Sequence, residues 1–262
     1  MRIPFIVKHP VVLPGVSRLV ILIALTMLTS GWAFASSGGT GLDKANIKLE
    51  DTESVKRGAT LFVQYCLNCH SASLMRYSRI AADMGMTDEE ITRQLITTGA
   101  KVGDTMTVTM DPADAKEWFG TAVPDLSVIS RARGDDWLYT YLRSFYRDES
   151  RPWGVNNAVF KDVGMPHVLW ELQGLQEPVT EMHVYDDGIE REVITGFKLA
   201  EQGKLNPQEY DAVILDLVTF LSYLGEPSKL QRQALGKWVL LFLSLFLVIV
   251  YLLKKEYWKD VH

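Results

Sequence analysis

The only two cysteines of this 262-residue sequence stand in Cys66-Leu67-Asn68-Cys69-His70. Two thiols one helical turn apart, followed at once by an imidazole, form the attachment signature of a c-type haem. The spacing has a chemical reason: one turn offers both thiols to the two vinyl groups of the porphyrin, and the next residue sets an imidazole on the iron. Cys66 and Cys69 are therefore expected to carry one covalent haem c, with His70 as its proximal ligand. Other chemistries fit less well. A Cys66–Cys69 disulfide strains a single turn, a thioredoxin-like dithiol wants a βαβ context that the sequence lacks, and a zinc site needs further cysteines.

An electron-transfer haem takes a second axial ligand, usually Met or His, and Met raises the potential. Beyond the N-terminal segment the spare histidines are His167, His183 and His262, and the methionines are Met75, Met84, Met86, Met106, Met110, Met165 and Met182. Met165 stands out because Gly164-Met165-Pro166-His167 is a turn-like segment far enough downstream for the chain to wrap around the haem. Met84 and Met86, in a Gly-containing segment, and Met182, among acidic residues, stay open as alternatives. Haem propionates are carboxylates that a bidentate arginine satisfies. Arg131 and Arg133, in Ser130-Arg131-Ala132-Arg133-Gly134, are placed for this, although spacing alone does not separate them from surface charges.

These groups need elements to hold them. Helical periodicity predicts a first helix from about Ser54 to Leu67 that carries Cys66, with Val55, Ala59, Phe62 and Val63 on one face. A second helix starts at Thr87-Asp88-Glu89-Glu90, which has the form of a capping box, and continues to Gly99. A third spans Asp135 to Tyr146, with Leu138, Tyr141, Leu142 and Phe145 as its apolar face. The fourth opens at Asn206-Pro207 and runs to Gly225. The first and fourth are expected to cross beside the haem edge. Stretches 100–133 and 147–205 are rich in Gly, Pro, Asp and Asn and read as long loops, with at most a short hairpin around Tyr185-Asp186-Asp187-Gly188. Loops of that length are unusual unless a ligand orders them.

The two ends carry targeting signals. Arg2, Lys8 and Arg18 precede the apolar run Leu19–Leu28 and the small-residue stretch ending Ala33-Phe34-Ala35, the pattern of a cleavable signal peptide over residues 1–35. A Gly/Ser linker follows. A second apolar run from Leu235 to Leu253 is roughly 28 Å long as a helix, enough to span a bilayer. Trp238, Tyr251, Tyr257 and Trp258 sit where interfacial aromatics belong, and Lys254, Lys255 and Lys259 follow. The expected organisation is a signal at 1–35, a periplasmic haem domain at 36–228, and an anchor at 229–262 with a cytoplasmic tail in a bacterial inner membrane. Residues 36–228 hold 18 basic against 30 acidic residues, a balance of −12. Such a field repels nucleic acid and speeds encounter with a basic partner.

Several motifs together resemble the bacterial cytochrome c1 family, the c-type cytochrome subunit of the cytochrome bc1 (ubiquinol–cytochrome c reductase) complex. They are Arg57-Gly58 leading into Cys66-Leu67-Asn68-Cys69-His70, Pro124-Asp125-Leu126-Ser127 with Arg131-Ala132-Arg133-Gly134, Gly164-Met165-Pro166, Tyr185-Asp186-Asp187-Gly188, and Leu224-Gly225-Glu226-Pro227 before the C-terminal run. The haem motif is common to all c-type cytochromes; the Pro124 to Gly134 block and the C-terminal anchor make the match specific. The resemblance implies a mostly α-helical cytochrome c-like domain with long loop insertions, Met165 as the sixth ligand and Arg133 against a propionate. It also implies cytochrome b and Rieske iron–sulfur partners, a soluble or tethered cytochrome c as acceptor, and a dimeric complex in which this chain carries electrons without being an enzyme on its own. Two departures stand out. Trp137 occupies a position where the family often has tyrosine near a propionate, and Pro166-His167 after Met165 leaves His167 as a rival ligand. Alternatives to the family reading are a monohaem subunit of another membrane complex, such as a terminal oxidase, and a membrane-anchored protein that binds haem or uses Cys66 and Cys69 as a dithiol.

Overall fold

The computed structural model describes residues 41–108, 110–185 and 187–260. The expected signal peptide, the start of the linker and His262 lie outside these.

The chain enters the domain through helix α1 (Thr52–Leu61), capped by the Asp51 carboxylate accepting from the Ser54 N–H at 3.1 Å. Its last turn widens into a π-helical stretch, Phe62–Cys66, in which the Leu67 N–H donates to the Phe62 carbonyl at 2.9 Å. Such π-bulges re-aim side chains and recur at functional sites. This one carries the first cysteine. After His70 come strand β1 (Ala72–Arg76), helix α2 (Tyr77–Met84), helix α3 (Asp88–Leu95), strand β2 (Thr105–Met106) and helix α4 (Pro112–Phe119). A short helix α5 (Ile129–Arg133) leads into α6 (Asp135–Arg143), then β3 (Phe145–Arg147), β4 (Val155–Asn157) and a one-turn helix α7 (Trp170–Gln173). A hairpin of β5 (Gly174–Val184) and β6 (Glu190–Gln202) precedes α8 (Pro207–Gly225) and α9 (Lys229–Tyr257). The domain is mostly helical, as expected; its three sheets are two-stranded and antiparallel.

The α1/α8 pair frames the core. Phe62 packs on Phe220 with centroids 5.5 Å apart. Asp216 takes two bonds from the Arg57 guanidinium, at 2.6 and 2.9 Å, and one from the Ser54 hydroxyl at 2.6 Å. The helices meet so closely that a Cβ on Gly58 would stand 2.1 Å from the Asp216 carbonyl oxygen, so only glycine fits there. α6 locks onto the same helix through the buried Tyr210 hydroxyl, which donates to the Leu142 carbonyl at 2.9 Å, and through the Arg143–Asp211 pair at 2.5 Å. The predicted capping box of Thr87 with Glu90 is present, and the expected Asn206 start proves to be a second one, closed by Glu209.

Three expectations need correction. The third helix ends at Arg143, and Phe145–Arg147 pairs with Val155–Asn157 as a strand. The stretch 100–133 holds two helices: α4, started by the Asp111 cap with Pro112 at the first turn and ended at Gly120, and α5, which begins after Val128 without a side-chain cap and ends at Gly134. The hairpin around Tyr185 is long, pairing Gly174 with Gln202 through Val184 with Glu190 across two register shifts. Its alternation was hidden by those bulges and by its exposed, charged faces. α9 contains the predicted run 235–253, is long and apolar enough to cross a membrane (mean hydropathy 2.3), and buries none of that run against the domain.

Candidate functional site

One apolar cleft gathers most of the residues singled out above. Cys66 and His70 line one wall with Pro124 and Leu126; Leu138, Tyr141 and Leu142 of α6 and Leu217 and Leu221 of α8 line another. Met165 and Gly164 close it, and Arg133 and Trp137 stand at its edge. Its volume is about 300 Å³. A second lobe, on the side of Tyr65, Cys69 and Phe119, shares Cys66, His70, Pro124, Gly164 and Met165 with the first.

His70 is oriented by backbone. Its Nδ1 lies 2.7 Å from the Pro124 carbonyl oxygen, which can only accept, so Nδ1 carries the proton and Nε2 keeps its lone pair for a metal. Burial lowers the His70 pKa, against the raising influence of that carbonyl and of Asp125. The neutral ligand form is thereby favoured. Asp125 holds the Pro124 turn by accepting from the N–H groups of Ser73 at 2.9 Å and Ser127 at 2.8 Å. No disulfide joins Cys66 and Cys69. Burial pushes Cys66 up to about 12 and raises Cys69 as well. A reactive dithiol has its thiol pKa lowered, the opposite of the shift here.

On the far side, the buried Tyr141 hydroxyl donates to Met165 Sδ at 3.3 Å. Gly164 fits closely, since a Cβ there would sit 3.2 Å from the Phe119 carbonyl oxygen. Among the described residues Met165 is the one methionine lining the cleft. Met75, Met84 and Met106 are buried in the core, Met86 packs against it, and Met182 is 61% exposed on the hairpin. His167 is buried but lines neither lobe, and His183 is exposed on β5.

The two arginines part company. Arg131 turns away to Glu226 at 3.1 Å. Arg133 lies over the rings of Trp137 and Phe160, at 5.0 and 5.7 Å, and among the described residues has no carboxylate partner. A cation at the mouth of an apolar cleft, held by two aromatic faces, fits a ligand carboxylate. Sequence reasoning missed the Pro124 carbonyl, a backbone acceptor with no residue-type signal, and the Tyr141–Met165 contact. It also missed the stacking of Trp137 on Tyr141, for which spacing of four along α6 was the available sign.

The donor set suits the group that the motif implies: two attachable thiols, a pre-oriented imidazole, a thioether and an unpaired arginine around one apolar slot. A helix-borne Cys-x-x-Cys-His in a mostly helical domain closed over such a slot defines the class of single-haem c-type cytochromes. Comparison with known proteins narrows the class. The profile described as the Cytochrome C1 family matches residues 44–194 and 201–261, pausing only inside β6. Cytochrome c1 of Allochromatium vinosum is 49% identical over 94% of this chain and 100% of its own length. A Nitrosomonas europaea protein named ammonia monooxygenase gamma subunit is 47% identical, also over 94% of this chain and all of its own, and cytochrome c1 of Rhodospirillum rubrum is 25% identical over 94% and 98%. The chain belongs to the cytochrome c1 family, whose members carry covalently bound haem c as electron-transfer subunits of the bc1 complex.

Proposed function

We propose that this chain is the membrane-anchored c-type cytochrome of a ubiquinol–cytochrome c reductase, taking electrons from the Rieske iron–sulfur protein and passing them to a soluble or tethered cytochrome c. Cys66 and Cys69 form the thioethers, His70 and Met165 are the axial ligands, and Arg133 meets a propionate. The observation that carries this reading is the convergence of His70 and Met165, 95 positions apart in the sequence, on one apolar cleft, with Cys66 lining both lobes and Cys69 the second. When bound, haem c supplies a one-electron couple. The chain's own part is to present Nε2 of His70, to hold the thioether with the Tyr141 hydroxyl, and to exclude water with Leu138, Leu142, Leu217 and Leu221. No bond need be made or broken. The signal at 1–35, the periplasmic domain at 36–228, and the α9 anchor with a cytoplasmic C-terminus complete the proposal. Cytochrome b and a second copy of the complex are its neighbours. The acidic domain suits a basic acceptor.

A second reading, as monohaem subunit of a different membrane complex, is favoured by the name of the Nitrosomonas europaea relative. One experiment separates the two: reduction of the haem is followed optically in native membranes during quinol oxidation, with and without an inhibitor of the quinol-oxidation site. Inhibitor-sensitive reduction supports the reductase. Reduction that ignores the inhibitor moves the chain to another complex and leaves its haem chemistry standing.

A further inference from the structure

His167 is a buried polar residue, 6% exposed, that the electron-transfer reading does not use. Its ring lies parallel to Phe145, with centroids 4.9 Å apart and 4° between planes. Phe145 meets Tyr141 edge-on at 5.2 Å, and Tyr141 stacks on Trp137 at 4.8 Å. The Tyr141 hydroxyl in turn reaches Met165 Sδ at 3.3 Å. The contacts therefore close a circuit: Met165 leads through Pro166 to His167, across Phe145 and Tyr141, and back to the sulfur of Met165.

The polar edge of His167 is also placed. Gln173 and the Gly174 backbone are the groups that face the imidazole. Gln173 donates from Nε2 to the Arg143 carbonyl at 3.0 Å, which leaves its Oε1 free, and Gln173 Oε1 and His167 Nε2 are each buried without a hydrogen-bond partner among the described residues. A ring nitrogen costs free energy in such a setting unless it is used, and an aliphatic side chain would fill the same space more cheaply. Ligation does not explain the imidazole, because it lines neither lobe of the cleft.

We infer that His167 is a positioning residue for Met165: its flat ring, stacked on Phe145, fixes the loop that presents the thioether. This rests on Met165 being the axial ligand, so the test carries Met165→Leu as a control. His167→Phe keeps the flat ring, His167→Leu fills the volume without it, and His167→Ala empties the site. Each is prepared as the full chain in its membrane complex and compared at equal covalent haem content. Three signals are read: the far-red sulfur-to-iron absorption of the ferric protein, the midpoint potential, and carbon monoxide binding by the ferrous protein, which an intact sixth ligand blocks.

The expected result is loss of the far-red band, a lowered potential and gained carbon monoxide binding in His167→Leu, with His167→Phe close to the native protein. A native His167→Leu overturns the inference, and so does equal loss in the Leu and Phe variants. Should His167→Ala fail to accumulate, the Leu and Phe pair decides alone. If Met165→Leu itself retains the far-red band, the ligand assignment has failed instead, and that outcome is distinct from the others.

Discussion

Replacing Tyr141 by Phe should lower the haem potential while leaving attachment intact. The Tyr141 ring is held between Trp137 at 4.8 Å and Phe145 at 5.2 Å, so a phenyl ring keeps its place and only the hydroxyl is lost. That hydroxyl donates to Met165 Sδ at 3.3 Å. A donor on the thioether draws electron density away from the sulfur and weakens its donation to the electron-poor ferric iron more than to the ferrous iron. Removing it favours the ferric state, and the potential falls. A neutral hydrogen bond is worth about 0.5–1.5 kcal/mol net; felt by one redox state only, it converts to about 20–60 mV for a one-electron couple, an upper bound. Redox titration of the membrane complex, followed at the haem absorption bands, measures the shift. An unchanged or raised potential with the far-red band still present would refute this reasoning, because the hydroxyl would then have no differential contact with the ligand.

Met165→Leu should keep the haem on the polypeptide through Cys66 and Cys69 and lower the potential much further than Tyr141→Phe; an unchanged potential in the same titration would mean another residue is the ligand. Gly58→Ala puts a methyl 2.1 Å from the Asp216 carbonyl oxygen and 2.7 Å from Phe220 Cβ. Overpacking of this kind costs roughly 1–3 kcal/mol, and a native melting temperature would show that α1 and α8 can part at no cost. Asp125→Ala should cost about 1.5–3 kcal/mol, since two N–H groups lose a charged acceptor, and should loosen the His70 tautomer. Burial alone would raise the Asp125 pKa, but bonds from Ser127 and Ser73 outweigh it and the net shift is downward. Its contribution is therefore present above the unfolded carboxylate value, near about 3.9, and lost as pH falls through the lower folded value; acid unfolding of Asp125→Asn should lack that component.

The sequence carried the helices well where pattern and cap agreed. Thr87 to Glu90 closes a reciprocal pair of bonds that only a helix start uses and was readable from residue types alone, as was the Asn206-Pro207 start, whose reciprocal bond from Glu209 the structure adds. The π-helical widening at Phe62–Cys66 was not, because no residue type marks the change to the wider hydrogen-bond register. The hairpin was underestimated for a different reason. Its strands expose Glu177, Glu181, Glu190 and Glu192 beside Met182 and Val184, and no face alternates cleanly enough to announce a strand.

The haem site divides along the same line. Cys66, Cys69 and His70, the proposed attachment and ligand residues, lie within five residues, so a single local motif points to them. Met165 and Arg133 lie far along the chain from that motif; the turn around Met165 favoured it without closing out Met84, and nothing beside Arg133 distinguishes it from Arg131. Tertiary packing draws the difference: Met84 is consumed by the core and Arg131 by Glu226, while Met165 and Arg133 are left facing the cleft. Elimination by packing is information that a single sequence does not hold in any motif. The same holds more strongly for the Pro124 carbonyl, which fixes the His70 tautomer with a backbone atom that every residue possesses. What the fold adds to the attachment motif is a choice among equivalent residue types, made by which of them the core leaves unpaired.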